Sequence, residues 1–191
     1  MYQPSYSDGH WRRLNLPHDW AIEGDFSPSN PSGASGGALP GGIGWYRKHF
    51  SLSPDEKYDR FTITFDGVYM NSTVYINGHK LGTRPYGYST FEYDLTPYIY
   101  KKGDNVIAVK VDNSDQPNSR WYSGCGIYRH VWLTKTLPGI KPHITEGSLR
   151  SGSIHHLAIH HQFALNGIEI ALADRPEMRF PYLELLALVA R

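Results

Sequence analysis

The sequence predicts an all-β domain of the sandwich type, and three observations support this fold class. Between Trp45 and Leu137, runs of β-branched and aromatic residues are broken by turn residues about every eight to twelve positions, which is typical of a sandwich or barrel. The dipeptide Asn77-Gly78 stands between two such runs and predicts a tight hairpin, because both central residues of a type I′ turn need a positive φ. No helical period of normal length occurs before residue 150.

Seven strands are predicted in this region, each bounded by turn residues. The strand that begins at Asp104 has one markedly apolar face, formed by Ile107, Val109 and Val111, as expected for a sheet packed on one side. Arg47 is expected on the polar face of the first strand. The seven strands are Trp45–Ser51, Arg60–Phe65, Ser72–Ile76, His79–Pro85, Ser89–Asp94, Asp104–Asp112 and His130–Thr134.

Residues 1–44 are interpreted as a loop-rich segment of the same domain, and residues 45–138 as the sandwich core. Prolines and a run of glycines between Gly33 and Gly44 give the first segment much turn chemistry and little periodicity. A disordered linker is the alternative. We expect an ordered loop system, because the segment also contains large apolar side chains that water disfavours. These side chains are Trp11, Leu14, Leu16, Trp20, Ile22 and Phe26.

Charge and cysteine content exclude several classes of protein. The chain has 19 Lys and Arg against 18 Asp and Glu, so no strong field favours nucleic acid or an anionic membrane. Cys125 is the single cysteine, which leaves no intrachain disulfide and no cysteine zinc site, and a buried apolar role is expected for it. Met1 to His10 lacks the features of a signal peptide, and no apolar run approaches a membrane span. The chain as written is predicted to be soluble and cytoplasmic.

Residues 139–191 form a tail that differs from the preceding sequence. Trp is absent from it, and four of the ten histidines fall between His155 and His161. The stretch from Glu169 to Ala173 fits strand and helix equally well. Good helix formers follow Pro181, so a helix is favoured for the last residues. The structure of the tail as a whole stays open.

The tail histidines are a candidate metal site that the sequence does not favour. On a helix, His156 and His160 would lie one turn apart and could share a zinc ion. Nearby Gly152 and the β-branched Ile154 and Ile159 weaken a helix there. We therefore predict no metal and no cofactor. The histidines concerned are His155, His156, His160 and His161.

A set of motifs in a fixed order carries a family resemblance. In order and spacing they resemble family 2 glycoside hydrolases, and the β-galactosidase members of that family in particular. A single motif would be weak evidence, whereas the ordered set identifies the region from Leu14 to Pro138 as similar to the N-terminal sugar-binding domain of these enzymes. The motifs are Leu16-Pro17-His18-Asp19-Trp20 with Ala21-Ile22-Glu23-Gly24, Gly41-Gly42-Ile43-Gly44-Trp45-Tyr46-Arg47-Lys48, Phe65-Asp66-Gly67-Val68 with Val74-Tyr75-Ile76-Asn77-Gly78, and Ser119-Arg120-Trp121-Tyr122-Ser123-Gly124-Cys125-Gly126-Ile127-Tyr128-Arg129.

The resemblance implies a jelly-roll, galactose-binding-like sandwich within a multidomain retaining exo-glycosidase. In that family an immunoglobulin-like domain follows, and a (β/α)₈ barrel then holds the two catalytic glutamates. This chain is too short to contain the barrel. The resemblance therefore implies a non-catalytic domain that supplies part of a galactoside site and contacts the immunoglobulin-like and barrel domains of the full-length enzyme. Two alternatives stay open: a stand-alone carbohydrate-binding module, and a domain that docks to a separate barrel chain.

Two features depart from the family pattern. Family members have some tens of residues ahead of the first motif, with an initial strand and often a secretion signal, so the parent enzyme can be periplasmic or secreted. Here only a short segment precedes His10-Trp11, which predicts a missing strand and an exposed sheet edge. In addition, Ile154 to Arg191 lacks the alternating strands and turns of an immunoglobulin-like domain. A frameshift, rearrangement or truncated reading frame is our hypothesis for this tail.

The loop from Asn118 to Arg129 contains the first two candidate sugar-binding residues. Arg120 offers a fork of donors to sugar hydroxyls, and Trp121 offers an apolar plate to the C–H face of a sugar ring. In related β-galactosidases this loop reaches the barrel mouth and helps to close the galactose subsite, so Arg120 is the first candidate for contact. The alternative is that Arg120 and Trp121 only anchor the loop against a neighbouring domain.

Asp19 is the third candidate for sugar contact. His18 beside it could shuttle protons, but no nucleophile accompanies the pair. An Asp in this context more often caps or turns the backbone, so a structural role is favoured. The other carboxylates are scattered over loops and strand ends, and we predict no catalytic residue in the chain.

Overall fold

In the computed structural model, the described residues are 1–54, 57–136, 177–180 and 185–190. Within these ranges the chain forms two antiparallel sheets and three single-turn 3₁₀ helices, at Ala21–Glu23, Ala34–Gly36 and Thr96–Tyr98. The all-β fold class is confirmed. The strands are β1 Arg12–Leu14, β2 Gly42–Ser51, β3 Arg60–Phe65, β4 Ser72–Ile76, β5 His79–Arg84, β6 Phe91–Asp94, β7 Asp104–Asn113, β8 Val131–Thr136, β9 Glu177–Phe180 and β10 Leu185–Ala190.

The two sheets pack face to face as a sandwich. The larger sheet has the order β1-β10-β2-β7-β4-β5, and the smaller has the order β6-β3-β8-β9. Alternate residues of β3, β4, β7 and β8 point inward, and the inner faces of the two sheets share one apolar core. From the larger sheet the core receives Tyr46, Val74, Ile76, Ile107, Val109 and Val111, and from the smaller sheet Phe61, Ile63, Phe65, Phe91, Val131 and Leu133.

The strands predicted between residues 45 and 134 are all present. The largest difference is at β2, which begins at Gly42 rather than at Trp45. The hairpin is also confirmed, because Asn77 and Gly78 have φ values of 49° and 85°. The Asn77 side chain ties the turn to the sheet: its Nδ2 donates to Tyr98 O and its Oδ1 accepts from Val106 N, both at 2.8 Å.

Two strands after residue 137 correct the expectations for the tail. β9 pairs with β8, and β10 lies between β1 and β2. The helix favoured after Pro181 is therefore wrong for Leu185–Ala190, where pairing with a neighbouring strand outweighs a local helix propensity that is weak over so short a run. β10 also covers the edge of β2, and β1 and β5 form the two edges of the larger sheet. The stretch Glu169 to Ala173 and the four tail histidines lie outside the described residues.

Residues 1–44 are ordered, as expected, but only some of their large apolar side chains are buried. Trp11, Leu16 and Trp20 are buried, at 9% exposure or less. Ile22 and Phe26 are 66% and 77% exposed, so the expectation that all the large apolar residues avoid water is wrong for these two. They belong to the turn-rich part of the segment, which leaves them outside the sandwich core.

Arg47 is the main correction to the strand pattern. It was expected on a polar, solvated face, yet its side chain is fully buried. The chain ahead of Trp11 covers this part of β2: Arg47 Nε donates to Asp8 Oδ2 at 2.7 Å, and its terminal nitrogens donate to the carbonyl oxygens of Gln3 and Tyr6 at 3.1 and 3.3 Å. A buried guanidinium needs such partners, and the N-terminal segment provides them.

Candidate functional site

The candidate site is built where the loop around Asp19 meets the loop that contains Arg120. Two backbone hydrogen bonds join these loops: His18 N donates to Ile127 O at 2.8 Å, and Trp20 N donates to Cys125 O at 3.0 Å. Residues distant in sequence therefore form one continuous surface at this end of the sandwich.

The Asp19 carboxylate fastens the two loops together. Its Oδ1 accepts hydrogen bonds from Ala21 N at 2.9 Å and from Cys125 N at 2.8 Å. Its Oδ2 accepts a short hydrogen bond from the Tyr122 hydroxyl. Burial and the hydrogen bond to Asp19 raise the pKa of Tyr122, which keeps the phenol protonated as a donor. Both carboxylate oxygens are thus engaged with protein donors.

Two glycines allow this close approach. Gly124 and Gly126 have φ values of 77° and 124°, a region that residues with a Cβ seldom adopt. A Cβ at Gly124 would lie 2.8 Å from Asp19 Oδ2, and one at Gly126 would lie 2.8 Å from His18 O. The glycine spacing in the motif is therefore required by the contact with the Asp19 loop.

Asparagines stiffen the first half of the Arg120 loop. Asn118 Nδ2 donates to Asn113 Oδ1 at 2.7 Å and to Asp115 O at 2.8 Å, while its Oδ1 accepts from the Tyr69 hydroxyl at 3.2 Å. Asn113 is buried and donates to Gly124 O at 3.2 Å. The loop is held at both ends before any ligand arrives, which lowers the entropy cost of binding.

Arg120 and Trp121 lie together on a groove of about 500 Å³. The Trp121 ring is 61% exposed, and its Nε1 donates to the Tyr88 hydroxyl at 3.2 Å. Arg120 is exposed and forms no hydrogen bond or ion pair with the part of the chain that the structure describes. Tyr69 and Tyr86 line the same groove. A second crevice behind the loop has only about 20 Å³, room for about one water molecule.

The structure separates the three predicted contact residues. Arg120 and Trp121 share the groove, whereas Asp19 lies behind the loop and does not line it. Sequence reasoning missed Tyr69, Tyr86 and Tyr88. A signal was present in Tyr86-Gly87-Tyr88, where two aromatic residues flank a glycine directly after a strand, but the position of this turn beside Trp121 is a tertiary relationship.

His18 is engaged away from Asp19. Its Nδ1 shares a hydrogen bond with the Tyr46 hydroxyl at 2.9 Å, and its Nε2 lies 3.2 Å from Glu23 Oε1. Glu23 is also paired with Arg12 at 2.6 Å. These contacts hold the start of the Asp19 loop against β2, and none of them connects the His18 ring to the Asp19 carboxylate.

Cys125 is buried at 3% exposure, as expected. Burial raises the pKa of its thiol to about 11, so the thiolate is scarce at neutral pH. Among the described residues, no group of three His, Cys, Asp or Glu side chains is placed to hold a metal ion. No helix in the described ranges is long and apolar enough to cross a membrane.

Comparisons with known proteins agree with the motif set. Residues 38–138 match the family model of the glycosyl hydrolases family 2 sugar binding domain. A β-galactosidase of Bacteroides ovatus is 67% identical over 136 residues, which are 71% of this chain and 16% of that protein. A β-glucuronidase of Formosa agariphila is 35% identical over 144 residues, 68% of this chain and 14% of that protein.

A solved structure supports the same assignment. The crystal structure of a β-glycosidase from Bacteroides vulgatus matches with a TM-score of 0.69 and 51% identity, covering 72% of this chain and 18% of that one. The chain thus spans less than a fifth of the length of each of these relatives. On the evidence of its motifs, its sandwich and these relatives, this chain belongs to the sugar-binding domain family of the family 2 glycosyl hydrolases.

Proposed function

We propose that this chain is the non-catalytic sugar-binding domain of a β-galactosidase-like family 2 glycosidase, and that Arg120 and Trp121 form one wall of its sugar site. The domain comprises the loop-rich residues 1–44 and the core 45–138, and residues 139–191 form an atypical tail whose strands β9 and β10 pair with the two sheets. The observation that carries the proposal is the placement of an exposed indole and an unpaired guanidinium together on a ligand-sized groove.

The chemistry of the groove suits a sugar. A pyranose ring has an apolar C–H face and an edge of hydroxyls, and it therefore needs an aromatic plate next to hydrogen-bond donors. Trp121 supplies the plate and Arg120 the donors. Neither side chain is needed to complete the fold, since Trp121 is largely exposed and Arg120 has no partner in the described residues.

The third predicted contact receives a different role in this proposal. Both oxygens of Asp19 accept hydrogen bonds from the protein, so Asp19 acts on the sugar through the loop that it holds. We infer that Asp19 is a positioning residue. Loss of its carboxylate would move Arg120 and Trp121 rather than remove a sugar contact.

The site on this chain is one wall only, so the chain by itself should bind sugar weakly. The groove is open, and a ligand on an open surface buries less area than one in an enclosed pocket. In the full-length enzyme, the immunoglobulin-like and barrel domains would complete the site and contribute the two catalytic carboxylates.

Titration of the 191-residue chain with galactose tests the proposal. The NMR signal of the Trp121 indole N–H, assigned from Trp121→Phe, should shift with a dissociation constant in the millimolar range, of the order expected for a partial site. Arg120→Ala should weaken the interaction about tenfold, the loss of one charged hydrogen bond. The control Arg13→Ala, on exposed β1, should leave it unchanged. A micromolar constant would instead favour a stand-alone binding module, and no shift at saturating galactose would refute the sugar site.

A glucuronide is a second candidate ligand. The free guanidinium of Arg120 favours it, because Arg binds carboxylates in a bidentate geometry that neutral hydroxyls do not exploit. A parallel titration with glucuronate distinguishes the two ligands. If the carboxylate is recognised, glucuronate should bind more tightly than galactose, and added salt should reduce that difference.

A further inference from the structure

Four aromatic side chains line the groove and touch one another, and we name this group the aromatic ledge: Tyr69, Tyr86, Tyr88 and Trp121. Tyr88 is its centre. The Tyr69 and Tyr88 ring centroids are 5.3 Å apart, and those of Tyr86 and Tyr88 are 5.5 Å apart, in edge-to-face arrangements of 63° and 65°. Trp121 joins through its hydrogen bond to the Tyr88 hydroxyl. The four rings are therefore in contact through Tyr88 in the absence of a ligand.

The four rings of the ledge differ in their exposure to solvent. Tyr86 and Trp121 are 63% and 61% exposed, Tyr88 is 40% exposed, and Tyr69 is 4% exposed. Tyr86 and Trp121 contact Tyr88 in different ways. Tyr86 makes an edge-to-face ring contact, and Trp121 donates a hydrogen bond from its indole N–H. The ledge thus offers two largely exposed rings, Tyr86 and Trp121, joined by the partly exposed Tyr88, with Tyr69 buried beneath.

The turn that carries Tyr86 is shaped for this arrangement. A Cβ added at Gly87 would collide with the Tyr69 ring. The glycine therefore lets the turn from Tyr86 to Tyr88 lie directly on Tyr69. Gly87 is itself buried, and its close packing against Tyr69 leaves no room for a side chain.

We propose that the groove binds a glycan of at least two linked sugar rings, with Trp121 under the terminal ring and Tyr86 under the next. The proposal rests on the proposed function, because it assigns a second ring to the same groove. Two observations carry it: two largely exposed rings joined by Tyr88, and a volume of about 500 Å³, within the range of pockets that hold ligands larger than one ring. The preferred substrate class is accordingly an oligosaccharide rather than a small glycoside.

The test compares galactose, galactobiose and galactotetraose on the 191-residue chain, again by NMR titration of the tryptophan indole signals. Galactobiose should bind about fivefold more tightly than galactose, the order of one added aromatic contact. Tyr86→Ala should abolish this gain, so that galactobiose then binds no more tightly than galactose. Tyr86→Phe keeps the plate and should retain the gain.

Two further variants control for folding and for general aromatic effects. Phe26→Ala removes a side chain that is 77% exposed and does not line the groove, so it should leave the preference for galactobiose intact. Gly87→Ala should displace the turn from Tyr69 and reduce the gain as Tyr86→Ala does. Backbone amide spectra of each variant report whether the sandwich remains folded.

The outcomes separate this inference from the proposed function. Equal affinities for galactose and galactobiose, or an equal loss of both in Tyr86→Ala, would overturn the two-ring site while the effect of Arg120→Ala on galactose still supported the sugar site. If none of the three sugars shifts the Trp121 signal, both proposals fall.

Discussion

The carboxylate of Asp19 accepts a hydrogen bond from the backbone amide of Cys125 at 2.8 Å, across 106 positions of sequence. This contact joins the first motif of the chain to the last. The second oxygen of the same carboxylate accepts a hydrogen bond from Tyr122. A residue that does not line the groove is thus bonded to the loop that contains Arg120 and Trp121.

Replacement of Asp19 should destabilise the chain and loosen this loop. Asp19→Ala removes the acceptor for two backbone amides and one hydroxyl, and it should lower the free energy of unfolding by about 1–3 kcal/mol. Urea denaturation followed by tryptophan fluorescence measures the change. Asp25→Ala, on an exposed carboxylate of the same segment, is the matched control and should change the stability by less than about 0.5 kcal/mol. Equal effects of the two variants would contradict the fastening role.

Arg47→Met should be among the most damaging single changes in this domain. The buried guanidinium would be lost, three backbone carbonyls would lose a donor, and the Asp8 carboxylate would keep only its contact with His49. Breaking a buried pair by removing one partner costs about 3–5 kcal/mol. Residues ahead of Trp11 should also become sensitive to limited proteolysis. Lys102→Met, in an exposed turn, is the control, and an Arg47→Met chain with unchanged stability and protection would contradict the assignment.

The stability of the chain should decrease above neutral pH because of His49. Burial lowers the pKa of His49, but hydrogen bonds to Asp104 and Asp8 outweigh this effect and raise it. When the pKa of a histidine is higher in the folded state than in the unfolded state, its protonated form stabilises the fold. This stabilisation is complete below the unfolded-state pKa of about 6.5 and is lost as the pH rises through the folded-state pKa.

The measurement is the free energy of unfolding at roughly pH 6 and roughly pH 8. The native chain should lose stability between these values, and His49→Gln should lose less. The pKa of Asp8 is lowered by hydrogen bonds from Arg47 and His49 in spite of its burial, so its charge persists over this range. His10→Gln, on an exposed side chain, should keep the native difference. If His49→Gln loses as much stability as the native chain, the pairing does not contribute.

The Cys125 thiol should be unreactive in the folded protein. Burial raises its pKa to about 11, and the side chain is only 3% exposed, so both the thiolate fraction and the access are low. Ellman's reagent at about pH 8 should label the native chain slowly and the urea-unfolded chain at once. Asp19→Ala should accelerate the labelling reaction in native buffer. The Cys125 amide then loses its acceptor, and the loop that buries the thiol is held less firmly. Rapid labelling of the unaltered native chain would contradict the buried placement.

The candidate site was only partly predictable from sequence. Arg120 and Trp121 could be chosen because they are adjacent in a glycine-rich motif and their chemistry matches a sugar. The role of the Asp19 carboxylate could not be inferred in full, since two of its three donors belong to Tyr122 and Cys125, 103 and 106 positions away. Tyr86 and Tyr88 were missed because their turn meets Trp121 only after β4, β5 and β7 have paired.

The sequence alone was sufficient to predict seven strands between residues 45 and 134, the hairpin at Asn77-Gly78 and the family, because alternation, turn residues and ordered motifs are patterns among neighbouring positions. Three further features are visible only in the folded chain: the burial of Arg47 under the N-terminal segment, the extended backbone of Leu185–Ala190 beside β2, and the joining of four aromatic rings into one ledge. Each depends on a partner that is distant in sequence. Pairing energy from such partners exceeds local propensity, and local pattern therefore could not reveal them.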